Sequence, residues 1–311
     1  MSRAEEPVGA GLPAVVVVSH DTRDEALACL RSALAAGARE LVLVDSGSRD
    51  GTGEAVRAAC PGVRVLELAN VGFGRAANAG IAVTTRPVAV VANADVRFDG
   101  DSLRILHERL LADDALAAVG PAVVYPDGTH QASARRLPDL PTAIGHALLA
   151  RFVPANRYTR RYRQLDADPR LPRDVDWLSG CALALRRSAF DAVGGFDPGY
   201  FLYVEDVDLC VRLQTAGWRL RYEPAARVTH RVGASTSQRR VRSLVHHARG
   251  LDRFHARHLA SSGPAWLLRP VVRLGLAGWV VATLVWERVE RWTGVVRSTT
   301  GERTGQRGGP A

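Results

Sequence analysis

The sequence predicts an α/β fold, a mostly parallel central sheet with helices on both faces, followed by a helical extension at the carboxyl end. Three observations carry that prediction. The apolar runs AVVVVS (14–19), ELVLVD (40–45), VRVLEL (63–68) and PVAVVAN (87–93) are continuous rather than alternating, the pattern of strands covered on both faces. Stretches of helical spacing separate them at about 24–36, 53–60 and 75–84, and strand-helix alternation winds a parallel sheet. A chain of 311 residues, 47% hydrophobic and 23% charged, suits one main domain plus an extension.

Each further element follows from pattern. A helix near 101–112 and a strand near 117–124 extend the sheet. From 126 to 174 the chain turns proline-rich and weakly periodic, which reads as a long loop with a short helix near 141–151. Order returns with WLSGCALALRR (177–187), a turn GGFDPGY (194–200), a helix at about 206–216, and strand-like residues at 219–222 and 227–230. The apolar segment 264–286 contains Arg269 and Arg273; its uninterrupted part, 274–286, is 13 residues, short for a bilayer span. With four tryptophans in and beside that segment and flanking arginines, it fits a membrane interface, or a helix packed on the main domain or on a second subunit in a homodimer. The expected divisions are 1–12 as a disordered start, 13–240 as the main domain, 241–295 as the helical extension and 296–311 as a disordered tail.

Charge separates these regions. All 41 basic residues are arginine, and residues 227–311 hold 15 of them against 4 acids. A basic end of this kind answers a polyanion: nucleic acid, an anionic membrane surface, or a diphosphate-bearing substrate. Cys29, Cys60, Cys181 and Cys210 lack paired metal-ligand spacing and sit in apolar surroundings, so they read as small buried hydrophobes in a reducing compartment. The amino-terminal MSRAEEPVGAGLP has acids and no long apolar run, so no secretory signal is expected there.

Ligands of such a sheet lie beyond the carboxyl ends of its strands, and acids stand there. Asp45 closes the second strand and Asp95 follows the fourth. An aspartate just past a buried strand either holds a divalent cation that bridges a nucleotide diphosphate, or caps a turn, and both readings are open. The stretch N70-V-G72-F-G74-R75-A-A77 imitates a dinucleotide fingerprint, with Asp95 beyond it. That fingerprint belongs to the first strand-helix turn, which here reads SHDTRDEA without glycine. An NAD-dependent oxidoreductase is therefore the alternative reading. In FLYVEDVDLC (201–210), Asp208 has Arg212 four residues on and reads as a helix-surface ion pair. Asp206 and Glu205 sit behind an apolar approach.

Taken together, VVVVSH, VDSGSRDGT, N70-V-G-F-G-R75-A-A-N78-A-G80, N93-A-D95, WLSGCALALRR, GGFDPGYFLYVEDVDLCVRL and VTHRVGAS resemble, in order and spacing, the inverting family 2 glycosyltransferases of GT-A fold, and in particular their bacterial rhamnosyltransferase-like branch. The resemblance covers about 14 to 236. It implies that Ser19, His20 and Asp45 line the nucleoside pocket and that Arg75 approaches the nucleotide from the far side. Asn93 and Asp95 stand at the metal-binding D-x-D position, with Asp95 the ligand to Mg²⁺ or Mn²⁺ and Asn93 a neutral replacement. His230 stands where the family often faces the diphosphate or the metal. Asp206 corresponds to the general base, its proton affinity raised by Glu205 and by burial. Glu205, Trp177 and Gly180 correspond to the acceptor side.

The implied activity is transfer of a sugar, L-rhamnose from dTDP-L-rhamnose, to a glycan or polyprenyl-diphosphate-linked acceptor in cell-wall or polysaccharide biosynthesis. The implied location is cytoplasmic, peripheral on the inner face of the cell membrane, with no nucleic-acid partner. A non-catalytic sugar-nucleotide-binding relative is the other alternative.

Overall fold

A computed structural model describes residues 11–150, 152–231, 240–259, 267 and 269–293. Residues 1–10 of the expected disordered start and all of the expected tail at 296–311 lie outside the described residues. The chain divides into two compact units, residues 1–134 with 169–239 and residues 135–168 with 240–311. This differs from a single cut at 240, because the arginine-rich insert groups with the carboxyl-terminal helices.

The first unit opens with β1 (Ala14–Ser19), α1 (Arg23–Ala35), β2 (Leu41–Ser46), α2 (Thr52–Ala59), β3 (Arg64–Leu68), α3 (Phe73–Ala82) and β4 (Val88–Asn93). Next come β5 (Val96–Phe98), α4 (Ser102–Leu111), β6 (Leu116–Val124) and β7 (His130–Gln131), with β8 (Ala134–Arg135) where the chain leaves this unit. Here α5 (Leu140–Leu149) and α6 (Arg157–Arg163) intervene. The first unit then resumes with β9 (Arg173–Asp174), β10 (Trp177–Leu178), β11 (Ala182–Arg186), α7 (Arg187–Ala192), α8 (Glu205–Thr215) and β12 (Arg219–His230).

The sheet runs β3-β2-β1-β4-β11-β6-β12-β5. Its first four strands are parallel; β11 runs antiparallel between β4 and β6, and β6 with β12 is parallel again. β1, β2 and β6 are buried along their full length, and β4 up to Asn93. β3 instead exposes Arg64 and Glu67, as its place at the sheet edge allows. Alternation assigns the faces. Val15, Val17 and Leu43 share a core with Cys29 and Leu30 of α1 and Leu103, Leu106 and Leu110 of α4, where each fully buried leucine contributes about 1.5–3 kcal/mol. Val16 and Val44 point the other way, and α3 approaches them so closely that a β-carbon on Gly80 would lie 2.3 Å from Val16 Cγ1.

β12 is longer than its sequence suggests. Pro224 and a register shift between Glu223 and Arg227 interrupt its pairing with β6, so one bent strand reads as two short ones. α6, α7 and the short strands β5, β7 and β9 also go beyond the sequence expectation. All four cysteines are free and buried, as expected.

In the second unit, Asp139 caps α5 by accepting from Thr142 N (2.9 Å), and Asn156 caps α6 by accepting from the N–H groups of Tyr158 and Thr159. α9 (Arg240–Phe254), a π-helical turn at His255–Leu259 and α10 (Arg269–Thr293) complete it. α10 has 25 residues, and its stretch Arg269–Trp286, mean hydropathy 1.2, is long and apolar enough to cross a bilayer. The sequence understated it because the two arginines interrupt the apolar run.

Candidate functional site

Parallel pairing brings the expected residues together at the strand ends. Ser19 lies opposite Asp45 and Val18 opposite Asn93, so three neighbouring strands deliver them to one edge. Much of their polar capacity is spent on the protein. The Ser19 hydroxyl bonds the Thr22 hydroxyl at 2.8 Å. Asp45 accepts from Ser48 N at 2.9 Å and from Gly53 N at 3.1 Å, so it caps both the turn and the first turn of α2. His20 Nδ1 donates to the Ser46 carbonyl at 2.8 Å, since a carbonyl oxygen only accepts. The other ring nitrogen, 3.1 Å from Asn70 Nδ2, then accepts, and His20 ties together the ends of β1, β2 and β3.

Asp95 and His230 meet across the sheet. His230 Nε2 lies 3.1 Å from Asp95 Oδ1, both residues are buried, and His230 Nδ1 lies 3.0 Å from Gln131 Oε1 on β7. A carboxylate and an imidazole on one spot form a donor set that suits a divalent cation. Among the described residues no cluster of three or more His, Cys, Asp or Glu side chains forms a metal cage. A cation here would therefore complete its shell with substrate oxygens and water, the habit of Mg²⁺ and Mn²⁺ bound to nucleotide diphosphates.

Two residues of this region escaped the sequence reading. Arg97 reaches the carbonyls of Ala94 (3.3 Å) and Val96 (2.9 Å), which flank Asp95, and is itself held by the Glu25 carboxylate. Gln131 addresses His230 from a two-residue strand. The only signal for Arg97 was its place two residues after Asp95; for Gln131 there was none, because the contact joins positions 99 residues apart.

The turn between β10 and β11 links this end of the sheet to the acidic pair. Asn93 N donates to the Cys181 carbonyl at 2.9 Å, while Gly180 N donates to Asp206 Oδ2, also at 2.9 Å. Cys181 lies within electrostatic reach of both Asp95 and Asp206, and burial pushes its thiol up to about 11. Asp206 Oδ1 accepts from Val207 N at 2.8 Å. Gly180 thus acts first on Asp206, and a β-carbon there would sit 3.2 Å from Asp206 Cβ. Trp177 is buried in β10, which leaves it little surface to offer an acceptor.

The acidic stretch differs from its sequence reading at Asp208. Asp208 is fully buried rather than on the helix surface; it pairs with Arg212 at 2.7 Å and accepts from the Tyr200 hydroxyl at 3.3 Å, which fastens α8 to the preceding turn. Beside Asp206, the Glu205 carboxyl is pushed up to about 8 by burial and then by the Asp206 charge. Its Oε2 is buried without a hydrogen-bond partner.

Backbone strain lies immediately upstream. Tyr203 and Val204 have φ of 68° and 73°, a left-handed conformation that β-branched valine rarely adopts, at a cost of roughly 1–3 kcal/mol each. Packing holds them there: Phe73 N donates to the Phe201 carbonyl at 3.0 Å, and Asp208 N closes the first bond of α8 on the Val204 carbonyl. The glycine pair of the imitation fingerprint serves this contact. A β-carbon on Gly72 would fall 2.1 Å from the Phe201 carbonyl oxygen, and one on Gly74 would press on the Phe196 side chain at 3.0 Å. Gly72 admits protein backbone, and Gly74 a phenylalanine side chain, where the fingerprint would admit a pyrophosphate. Arg75 Nε donates to the Pro198 carbonyl at 2.8 Å, so at least part of its side chain braces the 194–200 turn.

Comparison with known proteins follows the same lines. The chain matches Glycosyl transferase family 2 over residues 14–194 and Glycosyl transferase family group 2 over residues 165–296. It is 38% identical over 243 residues to the N-acetylglucosaminyl-diphospho-decaprenol L-rhamnosyltransferase of Mycobacterium tuberculosis, covering 74% of this chain and 78% of that protein. It is 54% identical over 56 residues to rhamnosyltransferase WbbL of Escherichia coli, 18% of this chain and 21% of that one. Among solved structures, a mannosyltransferase from Pyrobaculum calidifontis in complex with GDP-Man and Mn²⁺ superposes with a TM-score of 0.55 at 17% identity, covering 94% of this chain and 83% of the other.

Proposed function

The chain belongs to glycosyl transferase family 2 and is a glycosyltransferase of GT-A fold, and from that premise we propose that it moves L-rhamnose from a dTDP-linked donor to a sugar carried on a polyprenyl diphosphate. Transfer inverts the anomeric carbon, and the reaction belongs to cell-wall assembly at the cytoplasmic face of the membrane. The observation that carries this reading is the Gly180–Cys181 turn. Its N–H grips Asp206, its carbonyl grips the Asn93 strand end, and it links a candidate base to a candidate cation site.

Asp206 is the general base in this reading. As the acceptor oxygen forms its bond to the anomeric carbon, its proton passes to the Asp206 carboxylate, and the bond from the anomeric carbon to the diphosphate breaks with its electron pair leaving on phosphate. Glu205 is held as a neutral acid beside the base, so one negative charge rather than two faces the acceptor. Asp95 and His230 would hold Mg²⁺ or Mn²⁺, which when bound offsets the charge on the departing diphosphate. Arg97 fixes the turn that carries Asp95. Ser19, His20, Asp45, Arg75 and Asn93 shape the donor side through the contacts that stiffen the strand ends.

A panel of nucleotide sugars with a polyprenyl-diphosphate-linked acceptor tests it. Nucleotide diphosphate release is expected with dTDP-L-rhamnose and the product should be of inverted configuration. Equal kcat/KM with another donor would overturn the donor assignment, and a retained configuration would overturn the mechanism.

A further inference from the structure

The second unit carries apolar surface that its own packing leaves uncovered. α10 meets α9 through one face: Arg269 and Arg273 bond Asp252 at 3.5 and 3.0 Å, and Trp279 stacks edge-on against His247. Val271, Leu274, Val281 and Val285 recur along the outer face at helical spacing and are 57–75% exposed. Phe152, 63% exposed, sets its ring against Trp286 near the end of that helix. Soluble surfaces rarely leave a continuous apolar face of this length open. We infer that this face is a membrane dock on which the enzyme lies flat, its occupant the surface of an anionic bilayer.

Charge selects the occupant. The unit holds 19 arginines against 7 acids, an excess that an anionic lipid surface attracts at about 1 kcal/mol for each arginine close to it. The Phe152–Trp286 pair supplies the aromatic anchor that settles at headgroup level. Lying flat is favoured over crossing, although Arg269–Trp286 is long enough to cross. Crossing would draw α9 into hydrocarbon alongside it, because His247 touches the middle of α10 and Asp252 is tied to its first turns. An amphipathic pair, polar on the α9 side and apolar on the α10 side, belongs in the interface plane. The dock extends the proposed function by giving an enzyme with a lipid-linked acceptor its resting surface, and its failure is separable from that of the catalytic reading.

The test is flotation of the full chain with vesicles of phosphatidylcholine alone or mixed with phosphatidylglycerol. The wild type should float with the anionic vesicles and be released by high salt or alkaline carbonate. Leu274→Glu combined with Val281→Glu should weaken that partitioning about tenfold or more, while transfer to a water-soluble acceptor analogue is unchanged. Should that double variant fail to fold, Leu274→Ser with Val285→Ser reads the same contrast with less perturbation. Absence of flotation, or flotation equal in variant and wild type, would overturn the dock. Retention in carbonate would overturn the flat orientation in favour of a spanning helix. A wild-type dimer in light scattering that the double variant converts to monomer, without vesicle binding, would assign the face to a second copy of the chain.

Discussion

The two ends of the proposed site differ in how their polar groups are spent. On the donor side the Ser19 hydroxyl, both His20 nitrogens and both Asp45 oxygens bond neighbouring protein groups. On the acceptor side Glu205 keeps a buried oxygen without a hydrogen bond, and two left-handed residues precede it. The first arrangement stiffens a cradle. The second keeps unspent electrostatic and conformational free energy where the proposed mechanism moves a proton, which stable packing elsewhere in the chain sustains. The contrast lies in Glu205 and the strained residues before it, since Asp206, like Asp45, accepts a backbone N–H on each oxygen.

The sharpest way to break this contrast is Asp206→Asn. Loss of the base should lower kcat by about 10³-fold or more with donor affinity nearly unchanged; activity within a factor of a few of wild type would remove Asp206 from the mechanism. Asp95→Ala should weaken Mn²⁺ binding, read by electron paramagnetic resonance, by about tenfold to a hundredfold. Arg97→Gln should do so to a smaller degree, because the ligand is retained but its turn is loosened.

Glu205→Gln probes charge rather than geometry. The folded protein raises this carboxyl from an ordinary 4.5 to about 8, so folding takes up a proton between those values. The stability that goes with it is fully present below 4.5 and is lost as pH rises through 8. The wild-type Tm should fall by several degrees across that window and the Gln variant's curve should be flatter; parallel curves would show that Glu205 is not protonated in the fold. The smallest effect belongs to the donor side: Asp45→Ala removes two caps and should cost about 1–2 kcal/mol of stability, and a larger fall in kcat than in stability would erase the contrast.

Much of the fold was legible because it is written in one-dimensional patterns. Continuous valine runs located β1, β2 and β4 to within a residue or so, and helical spacing located α1, α3 and α4. Segments whose structure depends on distant partners were not legible: β7 has two residues and exists by pairing with β6, and α6 is written almost entirely in arginine and tyrosine. At the site, the motif residues were found, and their surroundings were not. Asp208 looked like a surface residue because its helix spacing to Arg212 is that of an exposed pair; Tyr200 and the Val193 carbonyl, which make the pair internal, are remote in pattern. That burial raises Glu205 was likewise invisible in composition, which does not show how deeply the side chain is enclosed.

The Gly180–Cys181 turn has a consequence for how such an enzyme changes over time. β11 begins at Ala182, paired with Ala92, so the turn that grips both Asn93 and Asp206 is indexed to the sheet ladder. Inserting or deleting one residue there would reverse which side chains of β11 face inward and would part the Gly180 N–H from Asp206. A change in the length of this turn is therefore expected to cost far more activity than an exchange of the side chains around it.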